Sequence, residues 1–353
     1  MFIKQYCRFL TSLRSVRNDK AISAFRGGIG RALPAQYLPF SFSKATVIPS
    51  EARNLSISFL LFLSISFLFG CGPASRNHTD TPTTGVLNMA ADDSYKPTVD
   101  AEKQVFQSLY NNTKINVKYE PEDSLFRDLM SDSARVIVAG RKLTQQEETF
   151  FKDKQLFPEQ VQIATDALAL IVNNDNPDTL LSMDKIKAIF SGDSTWNAPG
   201  KGTVTVVFDH ENSGNSRYIR ENLMKGNKFP ANCFALNSNE QVINYVSKNK
   251  SALGIIGVNW ISNDYDSAAE GFLNKVKVVW VSATPDGRHF QPYQYYIKTG
   301  DYPLCREVYM IKTEPYMGLA SGFLSFVTSD KGQRIIFHEG ILPTTVPTHI
   351  ISF

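Results

Sequence analysis

Short runs of apolar and β-branched residues alternate with segments of helical periodicity through most of the chain after residue 85. The runs that resemble strands are GVLNMAA, KINVKYE, ARVIVAG, ALALIVN, TVTVVF, SALGIIGV, KVKVVWV and EVYMIK. The intervening segments include KPTVDAEKQVFQSLYNN, in which Val99, Val105, Phe106 and Leu109 fall at helical spacing. This alternation predicts an α/β fold with mainly parallel sheets.

Local signals fix several helix ends. Thr144 and Glu147 have the spacing of a capping box at the start of TQQEETFFKDK. In SMDKIKAIFSG, Ser182 is a plausible N-cap and Gly192 a stop. The segment MGLASGFLSFVTSDKGQRIIFHEG predicts one or two closing helices.

In open sheets of this class, ligands bind beyond the carboxyl ends of the strands, where loops lead into helices. Four such loops carry polar residues: 93–95, 122–124, 140–142 and 213–217. The first three belong to the first half of the folded chain and the fourth follows much later. If the fold has two lobes, loops from both could meet at one cleft.

The fourth loop lies in FDHENSGNSRYIREN, residues 208–222, and has the composition of an anion site. A helix N-terminus offers unpaired N–H groups and partial positive charge. Gly214 would let the backbone approach a ligand, Ser213 and Ser216 add hydroxyl donors, and Asn215 lies between them. Arg217 and Arg141 could each grip an oxyanion in bidentate fashion. The simpler interpretation is that Asn212 or Ser213 only caps the helix.

The N-terminal part carries an export signal. NLSISFLLFLSISFLFGCG is an uncharged apolar run of roughly signal-peptide length that ends at Cys71. Its last residues, 68–71, resemble the lipobox of bacterial lipoproteins, in which the cysteine is acylated. We expect a leader over residues 1–70 and a polar tether over 71–84; the alternative is an uncleaved anchor helix. Residues 1–50 are too long for an ordinary n-region, which predicts a true translation start near residues 45–55.

Charge excludes one class of partner. The chain has a net charge of +3, but residues 1–70 hold nine Lys or Arg and two acidic residues. The rest of the chain holds 28 basic and 32 acidic residues. The basic character therefore belongs to the leader, and no general affinity for nucleic acid is expected.

The cysteine and histidine residues do not have the spacing of a metal site. The five histidines are scattered without metal-ligand spacing, and CxxC is absent from the sequence. Cys233 and Cys305 could form a disulfide in an oxidising compartment or remain two buried thiols. We expect no metal and no cofactor.

From about residue 85 to 347, the order of segments resembles phosphate-binding proteins of ABC importers, within the type II periplasmic binding protein fold. The resemblance rests on four segments in order: VAGRKLTQQE, DALALIVNNDNPDTLLSMDKIKAIFSGDSTWN, SALGIIGVNW and GLASGFLSFVTSDKGQRIIFHEGILP. It implies two lobes with helices on both sheet faces, formed by residues 85–166 with 286–353 and by residues 167–285. The hinge crossings would lie near residues 165–170 and 282–290.

The resemblance also implies ligand residues. Ser213 and Gly214 match the family's Ser-Gly-Thr anion loop, but Asn215 replaces its threonine and Arg217 comes one place later than its arginine. Asp209 stands where the family has another arginine, which removes a cation from the expected site.

Two further loops match positions from which the family contacts its ligand. Ser94 and Ser124 correspond to residues that donate hydroxyl or backbone N–H groups, and Asp93 is a candidate acceptor for the proton of a protonated phosphate. Nearby acids are awkward for a dianion; Glu122 and Asp123 are interpreted as solvated residues at a helix N-terminus.

These observations predict a monomeric lipoprotein on the periplasmic side of a bacterial membrane. It would capture phosphate or a similar oxyanion by hinge closure and deliver it to ABC permease subunits, with no chemistry. A binding or sensor lipoprotein for a different ligand is the alternative. A phosphatase using Ser213 is disfavoured because ENSGN lacks the Gly-x-Ser-x-Gly elbow and no histidine accompanies the serine.

Overall fold

The computed structural model describes residues 80–192, 195–196, 203–263 and 267–345. The strands in this part are β1 (Gly85–Ala91), β2 (Thr113–Tyr119), β3 (Val136–Ala139), β4 (Glu159–Asn173), β5 (Leu180–Ser182), β6 (Thr205–Phe208), β7 (Cys233–Ala235), β8 (Ala252–Gly257), β9 (Val276–Val278), β10 (Trp280–Ser282), β11 (Cys305–Lys312) and β12 (Leu342–Pro343).

The α-helices lie mostly between these strands. They are α1 (Lys96–Leu109), α2 (Glu122–Met130), α3 (Gln145–Asp153), α4 (Met183–Phe190), α5 (Gly214–Asn222), α6 (Asn239–Lys248), α7 (Ser267–Leu273), α8 (Gln294–Thr299), α9 (Leu319–Thr328) and α10 (Asp330–His338). Two short 3-10 helices, Asp93–Tyr95 and Val258–Trp260, follow β1 and β8. The predicted α/β fold is confirmed.

The long strand β4 connects two halves of the main sheet. The strand order is β2-β1-β3-β11-β4-β8-β6-β7, with β9 and β12 also paired to β4. The beginning of β4 pairs with β11 and its end pairs with β8 and β9. Parallel pairing holds within each half, between β1 and its neighbours β2 and β3 and between β6 and its neighbours β7 and β8. The antiparallel pairs described all involve β4 or β11.

The sequence of β4 explains its central place. Residues 167–172 are all apolar and fully buried. A continuous apolar run is expected of a strand covered on both faces, whereas a strand with one wet face would alternate. Helix α6 packs against β4 and β8 on one such face, where Val242, Ile243 and Val246 are buried. The division into two lobes stays a prediction, since the described residues belong to one compact unit.

The predicted helix ends are confirmed. The Thr144 side chain accepts a hydrogen bond from the Glu147 amide, and the Glu147 side chain accepts from the Thr144 amide, which completes the capping box. Ser182 caps α4, and Gly192 follows its end with a φ of 103°, where a residue with a Cβ would be strained. The closing segment forms two helices, with Ser329 between α9 and α10.

The two thiols of the folded part are free. Cys233 and Cys305 are unpaired, which decides against the disulfide alternative. Burial raises the pKa of each thiol to about 12.

The expected leader, Cys71 and most of the tether lie outside the described residues. Among the described helices, none is both long and apolar enough to cross a membrane.

Candidate functional site

The loop 213–217 lies where β6 ends and α5 begins, as the sequence predicts. Ser213 is the N-cap of α5, and its hydroxyl oxygen accepts from the Ser216 amide at 3.2 Å. The same hydroxyl donates to Asp209 Oδ1 at 2.6 Å. Ser213 therefore does cap α5. The Gly214 amide takes no part in this cap and faces away from its own helix.

The Gly214 amide is directed at a carboxylate from another part of the chain. Its N–H donates to Oδ2 of Asp92 at 2.8 Å, and Asp92 follows β1 directly. A Cβ at residue 214 would lie 3.1 Å from Nη1 of Arg306 and 3.3 Å from Oε1 of Glu122. Glycine is needed here because its backbone approaches three charged side chains closely. The N-terminus of α5 therefore already binds a carboxylate oxygen, which belongs to the protein itself.

Arg217 makes a second connection between these segments. Its Nε donates to Oε2 of Glu122, and its Nη2 donates to the Gly140 carbonyl at 3.0 Å. On its outer side, Nη1 contacts Glu221 at 2.8 Å. Glu122 also accepts from the Gly140 amide at 2.8 Å. The interpretation of Glu122 as a solvated residue is wrong: it is 1% exposed because the Gly140 amide and the Arg217 guanidinium surround its carboxylate.

A third connection involves the predicted residues Asp93 and Ser94. Oδ2 of Asp93 accepts from the amide and side chain of Asn239, at 2.9 and 2.8 Å, at the start of α6. Asn215 donates to Oδ1 of Asn239 at 3.3 Å. The Ser94 hydroxyl lies 3.5 Å from Oδ2 of Asp209. The loop after β1 thus contacts the N-termini of both α5 and α6.

Arg306 is the charged residue that sequence reasoning missed. It lies directly opposite Asp166 in the pairing of β11 with β4, and its Nε and Nη2 donate to Oδ2 of Asp166 at 3.1 and 2.9 Å. Both residues are buried. Among the described residues, no hydrogen-bond partner is found for Nη1 of Arg306, Oδ1 of Asp166 or the Tyr95 hydroxyl. The segment CREVYMIK also holds a glutamate and a lysine, so nothing in the sequence signals that its arginine pairs with Asp166 inside the protein.

Burial raises the pKa of two acidic groups of this site. The pKa of Asp92 is raised by burial and, further, by the nearby charge of Glu122, while Arg306 opposes both effects. Burial, followed by the charge of Asp92, raises the pKa of Asp209 to about 7. Asp209 stands where the resemblance expects an arginine, so the site carries more acid than that family pattern.

The structure gives three of the predicted residues other partners. Arg141 forms a bidentate pair with Glu147, at 2.8 and 3.0 Å, and lies 3.4 Å above the Phe126 ring. Ser124 accepts from Arg127 at 2.8 Å, and the Ser216 hydroxyl donates to the Glu211 carbonyl at 2.6 Å. Their contacts with a ligand stay predictions. Among the described residues, no group of three or more His, Cys, Asp or Glu side chains could hold a metal ion.

The family of the chain follows from comparison with known proteins. Residues 77–331 match the family model described as a PBP superfamily domain, so the chain belongs to that family. Among curated relatives, the phosphate-binding protein PstS of Pseudomonas aeruginosa is 24% identical over 280 residues, covering 74% of this chain and 83% of the relative. PstS of Staphylococcus aureus is 23% identical over 283 residues, covering 77% and 83%.

Solved structures share the fold. A putative phosphate ABC transporter substrate-binding protein from Clostridium perfringens, solved with bound phosphate, has a TM-score of 0.62 at 21% identity. The match covers 74% of this chain and 100% of that one. An ABC-type phosphate transport receptor from Vibrio cholerae has a TM-score of 0.54 at 20% identity, covering 72% and 99%.

Proposed function

We propose that the protein is a solute-binding protein that captures phosphate or a similar oxyanion between two lobes and delivers it to an ABC permease. One observation carries the proposal: the Gly214 amide at the start of α5 donates to a carboxylate oxygen of Asp92, in the loop after β1, at 2.8 Å. A helix N-terminus that holds a carboxylate oxygen is suited to a phosphate oxygen as well. The named functions of the curated relatives support this assignment.

The proposed ligand donors come from both sides of the cleft. Gly214, Asn215 and Arg217 belong to the loop before α5 and its first turn, together with Ser213 and Ser216. Ser94, with Asp93 as proton acceptor, belongs to the loop after β1. Ser124 and Arg141 are further candidates from the same side as Ser94.

The proposal also covers the two lobes, the membrane anchor and the release of unchanged ligand. The lobes would be residues 85–166 with 286–353 and residues 167–285, and they would close by a hinge motion at the β4 and 282–290 crossings. Acylation at Cys71 would anchor the monomer at the periplasmic side of the membrane. The protein would bind its ligand without reaction.

A second candidate function is capture of a different ligand by the same fold, and one observation favours it. The carboxylates of Asp92, Asp93, Glu122, Asp166 and Asp209 converge on a region that holds the guanidinium groups of Arg217 and Arg306. An excess of acid repels a dianion. A ligand that carries hydrogen-bond donors would suit this site better.

Isothermal titration calorimetry separates the two functions. The wild type is titrated with phosphate, sulfate and molybdate, alongside Arg217→Ala. Arg220→Ala is the matched control, because Arg220 lies on the same helix and contacts the Glu211 carbonyl instead of Glu122 and Gly140. Saturable phosphate binding that Arg217→Ala weakens and Arg220→Ala preserves supports the proposal. Absence of saturable binding for all three oxyanions rejects it in favour of the second function.

A further inference from the structure

The carboxylates of Asp92 and Glu122 occupy the same donors that an incoming oxyanion would need. We propose that these two residues are internal ligands: they hold the loops after β1 and β3 against the start of α5 and compete with the external oxyanion, and so determine which ligand can enter. The competition rests on the proposed function, whereas the holding role does not.

Asp92 is fully buried and bound at two helix starts. Its Oδ1 accepts from the Ser94 amide at 2.9 Å, which caps the 3-10 helix Asp93–Tyr95. Its Oδ2 accepts from the Gly214 amide at the start of α5. One carboxylate therefore bridges two segments that are far apart in the chain, and it does so with the geometry expected of an anion at a helix N-terminus.

Glu122 occupies the neighbouring donors. Its carboxylate accepts from the Gly140 amide and from the Arg217 guanidinium. Its Oε1 lies 3.3 Å from where a Cβ would stand at either Gly140 or Gly214, so it sits between the two glycines. The two carboxylates are near enough that the charge of Glu122 raises the pKa of Asp92.

A bound phosphate would need the same Gly214 amide and Arg217 guanidinium. Its entry would displace both carboxylates, or force them to share donors with a second anion. Removing a partner from a buried charge is costly, and like charges in a buried site repel strongly. The internal carboxylates would therefore lower the affinity for a dianion by reducing the fraction of protein that is ready to bind it.

Glu122→Gln tests the competition, and Glu221→Gln is its matched control. Both glutamates pair with Arg217, but the Glu221 side chain is 57% exposed and that of Glu122 is 1% exposed. We expect Glu122→Gln to bind phosphate about tenfold more tightly than wild type, and Glu221→Gln to stay within about twofold. Asp92→Asn should also tighten binding. Unchanged or weaker phosphate binding by both Glu122→Gln and Asp92→Asn would overturn the competition.

Hydrogen exchange of the ligand-free protein tests the holding role without any oxyanion. In the wild type, the amides of Gly140 and Gly214 should exchange slowly because they donate to Glu122 and Asp92. Glu122→Gln should accelerate exchange at Gly140 and at Gly214, while Glu221→Gln should not. Faster exchange with no phosphate binding by any variant would retain the holding role and reject the proposed function. Phosphate binding by the wild type, with unchanged affinity and exchange in Glu122→Gln, would retain the proposed function and reject the holding role.

Discussion

The amide nitrogen of Gly214 lies 2.8 Å from Oδ2 of Asp92, although 122 residues separate the two in the chain. This contact joins the loop after β1 to the start of α5. Around it, Glu122 pairs with Arg217 and Asp93 with Asn239. The candidate site is thus a set of acidic side chains on one side that meet amide and guanidinium donors on the other.

Gly214→Ala should weaken oxyanion binding. The new Cβ would lie 3.1 Å from Arg306 Nη1, which is closer than ordinary van der Waals contact and leaves less room at the amide. Overpacking of about 1 kcal/mol or more in the phosphate-bound form corresponds to at least about a fivefold loss in phosphate affinity by calorimetry. Gly271→Ala in α7 is the control, since its Cβ would meet open space. Equal affinity of both variants would contradict this role of Gly214.

Arg141→Ala tests whether Arg141 holds ligand or structure. Its pair with Glu147 and its contact with Phe126 indicate mainly a structural role. We expect the free energy of unfolding to fall by about 1 kcal/mol, because a partly exposed ion pair and a cation–π contact are lost. Urea denaturation measures this loss. Phosphate affinity should fall less than in Arg217→Ala, where a charge-assisted hydrogen bond of about 1.5–3 kcal/mol is removed. An equal loss of affinity would identify Arg141 as a ligand residue.

Arg306→Ala should destabilise the protein strongly. It would leave Asp166 buried without its guanidinium partner, at a cost of about 3–5 kcal/mol in the free energy of unfolding. The double variant Arg306→Met with Asp166→Leu should recover most of this loss, because it removes both charges and fills the space. Urea denaturation of the two variants checks the prediction. A double variant no more stable than Arg306→Ala would show that the pair is not the cause.

Glu102 should make stability depend on pH. It is buried in α1, and neither carboxylate oxygen has a hydrogen-bond partner among the described residues. Burial, with a contribution from the charge of Glu339, raises its pKa to about 9. A carboxyl whose pKa is higher in the folded state favours folding at low pH, and this contribution is lost as pH rises from near its ordinary pKa towards 9.

Glu102→Gln removes that titration. Its melting temperature should exceed that of wild type by about 5 °C or more at pH 9, and the difference should shrink towards pH 5. Thermal unfolding across this range measures it. Glu211→Gln, at an exposed side chain, is the control and should differ little from wild type. A constant difference between wild type and Glu102→Gln at pH 5 and pH 9 would rule out the titration of Glu102 as the cause.

The sequence predicts the helices, the strands and the loop 213–217 better than it predicts which side chains contact each other. Periodicity predicts the strands and helices because each buries a regular face, and the capping box of Thr144 and Glu147 is a purely local pattern. The same Glu147 also binds Arg141, which the local pattern did not indicate. Arg306 depends on the register between β11 and β4, which no local pattern encodes.

The acidic partners of the site were the least predictable part. The sequence shows that acidic residues near Ser94 and Ser124 are awkward for an anion site, but the burial of Asp92 and Glu122 depends on how β1 and α2 approach α5. That approach is tertiary, since Glu122 and Arg217 are 95 residues apart. An acid at a helix N-terminus is usually solvated. The Gly140 amide and the Arg217 guanidinium make the buried position possible for Glu122.

We expect an oxyanion to bind at the Gly214 amide and the Arg217 guanidinium. The most direct measurement is a crystal structure of the protein grown with phosphate. We predict tetrahedral density within hydrogen-bond distance of both groups, with the carboxylates of Asp92 and Glu122 displaced from their present contacts. Phosphate absent from this site, with both carboxylates still bound to Gly214 and Arg217, would show that the oxyanion does not bind there.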